Sequence, residues 1–316
     1  MIRKDWSDPQ IRDYVSRLPI WQGPPQLEPI IGGLCNSSYK VTDSKGSYVA
    51  RIGFDIPVHG IYQSSVQATA EAGSQLGVTP EVIHIEPALI VARFVSGGTL
   101  RPENIHHGPT LEKIVVLMKR LHAGSASLRP AAHYFWPFQV ARRYCEIGRQ
   151  KKSRLLPKLA ELERIAGRLE QDVPPYTPVF THNDLVPQNF VFDEKGEVLF
   201  IDWDYGGFGN PNFDLAAAMI NSDAPEDLDL RVVELYYGQR TKENWRQYRL
   251  FKVAVSLREF LWGMVQEVTS ELAPELVAAG MSALYGDQKA GYEGYTDMNE
   301  ARFNLMWDGY RREFGL

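Results

Sequence analysis

The rhythm of apolar and polar residues changes near residue 95. Before it the apolar positions fall in short alternating runs separated by turn residues; after it they recur at helical intervals. Residues 27–31 and 38–41 read as strands around a Gly32-Gly33 loop, and after the turn Asp43-Ser44-Lys45-Gly46 residues 47–52 read as a third. Residues 68–76 read as the end of a helix stopped by Gly77, and 81–85 and 89–94 as strands flanking a Glu86-Pro87 turn. Val95-Ser96-Gly97-Gly98 supplies two glycines where the chain must change direction, so the pattern predicts an N-terminal domain over 1–95 and a C-terminal one over 96–316. In the second, residues 111–121 and 141–169 have helical spacing, 177–203 holds two short strands, and helices dominate from Asn212 onward. The expected class is α+β in two lobes, a small β-rich one followed by a larger, mainly helical one.

Composition narrows the function classes. The 316 residues are 44% hydrophobic and 23% charged, ordinary for a soluble globular chain. A formal net charge of -5 without a long basic run argues against nucleic acid or an anionic membrane as partner. No apolar run reaches the length of a membrane span, and the start of the chain carries no signal-like segment. Cys35 and Cys145 give neither a disulfide framework nor zinc spacing, so the expected setting is reducing and cytoplasmic.

The chemistry is concentrated between Val179 and Asp214, where Asp184, Asn189 and Asp202 interrupt otherwise apolar strands. Asp184 and Asn189 lie five apart across a loop whose Pro187 prevents regular strand pairing, so both can face one cavity. Asp202 ends the apolar run Val198-Leu199-Phe200-Ile201, and a carboxylate there is costly unless a cation or hydrogen-bond donors compensate. Phosphoryl transfer calls for such a set: Mg2+ on the phosphates, a carboxylate on the attacking hydroxyl and a cation on the nucleotide. Asp184 then orients the acceptor proton, Asn189 and Asp202 hold Mg2+ through hard oxygens, and His182 braces the loop.

Two features of the first lobe fit the same reading. Arg51 lies in Tyr48-Val49-Ala50-Arg51-Ile52 and Glu71 in the helix that follows, as a cation and carboxylate paired to hold phosphates. The segment Gly32-Gly33-Leu34-Cys35-Asn36-Ser37 allows backbone amides and small polar groups to approach a polyphosphate, although it has neither P-loop nor G-x-G-x-x-G spacing.

Together these motifs resemble the choline/ethanolamine kinase family within the aminoglycoside-phosphotransferase-like kinases, over roughly residues 27 to 312. Gly32-Gly33-Leu34-Cys35-Asn36 resembles its nucleotide loop, Arg51 its strand cation, and Arg93-Phe94-Val95 its inter-lobe hinge. Residues 117–122, His182 to Asn189, Ile201-Asp202-Trp203-Asp204-Tyr205, Phe213-Asp214-Leu215, Phe260-Leu261-Trp262-Gly263 and Ala301-Arg302-Phe303 are similar to its remaining motifs. The resemblance implies a protein-kinase-like fold, ATP and Mg2+ as cofactors, and phosphorylation of a small-molecule alcohol, choline or ethanolamine first. Thiamine, an aminoglycoside or another small alcohol is the alternative acceptor, and a non-catalytic nucleotide- or metabolite-binding module the alternative class.

The family holds a quaternary amine in an aromatic cage by cation–π attraction. Tyr205, Trp262 and Tyr295 fall at implied pocket positions, with Asp204 as a neighbouring carboxylate. The sequence departs from the pattern at Val265 and Met298, where aromatics are expected, and at Asn221, where a carboxylate is.

Overall fold

In the computed structural model, residues 1–30, 37–126, 132–273, 275–278 and 291–315 are described. Five strands, β1 (Gln26–Ile30), β2 (Ser37–Thr42), β3 (Ser47–Ile52), β4 (Val82–Glu86) and β5 (Leu89–Arg93), form an antiparallel sheet in the order β1-β2-β3-β5-β4. The two-residue period of β3 sorts its side chains. Tyr48, Ala50 and Ile52 are buried with Leu89 and Val91 of β5 against helix α1 (Asp8–Ser16), while Val49 and Arg51 occupy the opposite face. The sequence reading had no helix at α1, whose core contribution is a single turn-spaced pair, Ile11 and Val15.

Helix α2 (Gln63–Gln75) follows β3 and touches the second lobe through Gly73. A Cβ there would lie 2.5 Å from the Trp203 indole, so only glycine lets α2 pack against the segment carrying Asp202 and Asp204. The linker is also anchored. Phe192 donates to the Gly98 carbonyl (3.1 Å) and Leu100 to that of Phe190 (2.9 Å), which lays residues 98–100 along the hairpin β8 (Phe190–Phe192) and β9 (Val198–Phe200). At the hairpin turn the Asp193 carboxylate accepts from the amides of Lys195 and Glu197 (both 2.8 Å).

The larger lobe is built from α3 (Pro102–His106), α4 (Gly108–Ala123), α5 (Pro137–Gln150), α6 (Leu159–Gln171), α7 (Pro211–Asn221), α8 (Glu226–Tyr237), α9 (Lys242–Thr269) and α10 (Gly291–Phe314). Helix α9 runs through its centre, packed on α5, α7 and α10. Two expectations are corrected here. The single helical stretch over 141–169 is two helices, α5 and α6, separated by a turn in which Lys152 takes φ 54° and the Ser153 amide returns to the Gly148 carbonyl (2.8 Å). The two strands within 177–203 are three, because β7 (Val179–Thr181), β8 and β9 are too short for alternation to separate them. A small sheet joins β7 to β10 (Gly207–Gly209) and β6 (His133–Tyr134). Among the described residues no helix is long and apolar enough to cross a membrane.

Candidate active site

The loop after β7 is fixed from below by one carboxylate. Asp214, in the first turn of α7 and fully buried, accepts from the backbone amides of His182 (2.9 Å) and Asn183 (2.7 Å) and lies 3.1 Å from His122 Nε2. Asn183 takes φ 63°, and its side-chain amide donates to the Tyr205 carbonyl (2.9 Å). Burial pushes His182 down to about 4, so the ring is neutral, and its Nε2 donates to the Ile201 carbonyl at 3.0 Å. His182 therefore ties the loop of Asp184 to the strand end of Asp202.

The turn Pro187–Asn189 brings Asn189 back over Asp184. The Asn189 Nδ2 donates to the Asp184 carbonyl (2.8 Å) and to its Oδ2 (3.2 Å), while the Ile201 amide donates to the Asn189 carbonyl (2.9 Å). Asp202 leaves β9 with φ 64°, a conformation non-glycine residues seldom adopt, which carries its carboxylate out of the strand toward Arg51. The Arg51 Nη2 lies 3.1 Å from Asp202 Oδ1 and also bonds Asp204. Burial raises Asp184 to about 7; the carboxylates of Glu259, Asp202 and Asp204 add to this, and the Arg258 guanidinium opposes it. The donor set suits Mg2+, with Asp202 and the Asn189 amide oxygen as hard-oxygen groups beside a concentration of negative charge. Among the described residues there is no group of three or more His, Cys, Asp or Glu side chains that could hold a metal ion.

Several first-lobe expectations change. Arg51 meets Asp202 and Asp204, whereas Glu71 is exposed on α2, so the expected strand–helix pair is replaced by pairing across the lobes. Arg93 is opposite Tyr48 in the β3–β5 register and so shares the sheet face away from Arg51, where it pairs with Glu81 (3.2 Å) and stacks on the Tyr48 ring. Phe94 has the Lys40 ammonium 4.6 Å above its ring. Lys40 is opposite Val49 in the β2–β3 register, which sets it on the Arg51 face, a cation the sequence reading missed. Ser37 is exposed at the start of β2; Gly32, Gly33 and Asn36 lie outside the described residues.

On the far side of Asp184 stands a wall made by α9 and α10. Asp204, expected near the acceptor, is engaged with Arg51 instead. Trp262 is half-buried and contacts Tyr295 (5.4 Å, 73°), Tyr292 (6.0 Å, 77°) and His59 (5.8 Å, 30°). Tyr295, expected on a glycine-broken rim, is buried in the second turn of α10 and donates its hydroxyl to Glu259 Oε2 at 2.7 Å. Gly263 permits this approach, since a Cβ there would lie 2.6 Å from Thr296 Oγ1. Val265 is fully buried in the core, Met298 packs against the cluster of Val277, Tyr292 and Tyr295, and Asn221 donates to the Leu185 carbonyl (3.2 Å).

Sequence reasoning missed Arg258 and Glu259. Their signal was two adjacent charges inside an otherwise apolar helical stretch. The Arg258 Nη1 donates to Glu259 Oε1 (2.6 Å), lies 3.2 Å from Asp184 Oδ1, and its guanidinium sits 4.3 Å above the Tyr205 ring.

Comparison with known proteins places the chain in a family. The protein LicA of Haemophilus influenzae is 23% identical over 254 residues, covering 76% of this chain and 74% of LicA. Ethanolamine kinase 2 of Mus musculus is 28% identical over 166 residues, covering 50% of this chain and 41% of that one. The crystal structure of a choline/ethanolamine kinase family protein from Mesorhizobium loti superposes with a TM-score of 0.73 at 22% identity, over 94% of both chains. The model of the phosphotransferase enzyme family matches residues 26–251, which span β1, the Asp184 loop, Asp202 and the first part of α9, and the chain belongs to that family.

Proposed function

We propose that the protein transfers the γ-phosphoryl group of ATP, with Mg2+, to the hydroxyl of a small amino alcohol, the class of choline and ethanolamine. The observation that carries this reading is the cluster of Asp184, Asn189 and Asp202, drawn together by the Asn189–Asp184 hydrogen bonds and facing Arg51 across the lobes. Bound Mg2+ would neutralise charge on the phosphates, held by Asp202 and the Asn189 amide oxygen. Asp184 accepts the hydrogen bond of the attacking hydroxyl and takes its proton as the phosphoryl group passes. Arg51 supplies positive charge on the nucleotide side, and Asp214 with His182 keeps the loop from shifting during transfer. The names of the Mesorhizobium loti choline/ethanolamine kinase family protein and of the mouse ethanolamine kinase support an amino alcohol as acceptor.

The test is ADP release from Mg-ATP with choline, ethanolamine, thiamine and an aminoglycoside, using Asp184→Asn as blank. Turnover with an amino alcohol, lost in the variant, is expected. Full activity in Asp184→Asn would remove the role given to that carboxylate, and ATP binding without turnover on any acceptor would favour a binding module.

A further inference from the structure

The acceptor side of the site contains a cation of its own. Arg258 is 3% exposed, and among the described residues its Nε and Nη2 are buried without a hydrogen-bond partner. A buried cation with unpaired donors is a costly arrangement that a bound oxygen relieves. The two unpaired nitrogens form one edge of the guanidinium. Elsewhere in this chain that same edge grips a carboxylate side-on: Arg154 bonds Glu267 through Nε (2.9 Å) and Nη2 (3.0 Å).

Arg258 also lies over Tyr205, one of the rings that the resemblance implies for an ammonium. Its guanidinium covers the Tyr205 ring, and the carboxylate beside it, Glu259, already accepts from Arg258 and from the Tyr295 hydroxyl. A second cation packed on the same ring face would meet like charge. With Nη1 3.2 Å from Asp184 Oδ1, the guanidinium adjoins the carboxylate that receives the acceptor hydroxyl.

Resting on the phosphotransferase reading above, we propose that Arg258 selects the acceptor, and that the acceptor carries a carboxylate in addition to its amine and hydroxyl. The carboxylate takes the Nε–Nη2 edge while the hydroxyl takes Asp184. The rings of Tyr205, over the guanidinium, and Trp262, one turn further along α9, are both half-buried and would have to turn to admit it.

The test uses matched acceptors that differ by the carboxylate: L-serine against ethanolamine, and carnitine against choline. For the wild-type protein kcat/KM is expected to favour at least one carboxylate-bearing partner by tenfold or more. Arg258→Lys keeps the charge but loses the planar edge, and should lower that ratio at least tenfold. Arg258→Met with Glu259→Gln removes both charges of the wall, so that Glu259 is not left as an unpaired buried carboxylate, and should lower it as far. Preference for the member lacking the carboxylate in both pairs, or a ratio unchanged in both variants, overturns the proposal. If no acceptor turns over, the phosphotransfer reading fails separately, and calorimetric binding of the same pairs decides: Arg258-dependent binding of serine or carnitine upholds the inference, and its absence ends it.

Discussion

The Asp184 loop and the α9–α10 wall meet at Asp184, yet they hold their polar groups in different ways. The loop hangs from backbone: Asp214 accepts two amides, His182 grips a carbonyl, and Ile201 donates to Asn189. The wall depends on side chains alone, with Arg258, Glu259 and Tyr295 bonded in series on two helices whose backbones are internally satisfied. A backbone-braced loop keeps reacting groups in place, so long as its bracing carboxylate stays, whatever side chains surround it. A side-chain network on helices can be rewritten one residue at a time, which suits the part of a site that chooses the acceptor.

The sharpest test of this division is Asp202→Asn, which removes both the hard carboxylate oxygen and an Arg51 partner. A fall in kcat of about a thousandfold or more is expected with acceptor KM little changed, because the loss is felt in the transition state. A variant that raised only KM would mean that the loop shares in acceptor binding. Next is Asp214→Asn, which replaces an acceptor of two buried amides by a group that is half donor. It should lower folding stability by about 2–4 kcal/mol, read from the denaturant midpoint. No change there would mean that the loop holds its shape without the brace.

The same division explains what could be seen in the sequence. Asp184, Asn189 and Asp202 stand out because short apolar strands surround them, and the α+β order followed from alternation giving way to helical spacing. Arg258 and Glu259 were hidden because a helix can bury charges that meet partners far away in sequence, here Tyr295, 36 residues on. Arg93 was misplaced because strand parity relative to Arg51 depends on a pairing register that only the β3–β5 ladder supplies. Likewise Arg51 was given Glu71, the carboxylate in the helix that follows, when the lobes bring it Asp202 and Asp204 instead.

Gly263→Ala probes the wall more gently. The added methyl meets Thr296 Oγ1 at 2.6 Å and the Tyr295 ring at 3.0 Å, so α10 must move away or Tyr295 must turn. Overpacking of this kind costs about 1–3 kcal/mol, and the displaced Tyr295 should raise acceptor KM more than it lowers kcat. An equal fall in kcat would show that the wall positions Asp184 as well as the acceptor.

The smallest effect concerns acid. His59 is buried behind Trp262, with its Nδ1 2.9 Å from the Tyr144 hydroxyl and its Nε2 3.3 Å from Gln266 Oε1, an arrangement suited to a neutral ring. Burial pushes its pKa down to about 4, with the Arg258 and Arg143 cations contributing. In the unfolded chain the ring titrates near ~6.5, so between that pH and about 4 the unfolded state binds the extra proton. Stability contributed by the neutral ring is thus present above ~6.5 and declines as pH falls toward 4, by about 1 kcal/mol at pH ~5.5. In His59→Gln the fall of unfolding free energy across this window should be shallower than in the wild type. His182 in the loop, also held near 4 by burial, adds a second decline of the same sign that the variant leaves in place. The residual slope of His59→Gln therefore reports the loop, where the Asp184 carboxyl, raised to about 7, binds its proton more readily in the folded state and works against His182, and the difference from wild type reports the wall, whereas identical slopes would mean that His59 is already protonated in the folded protein at mildly acidic pH.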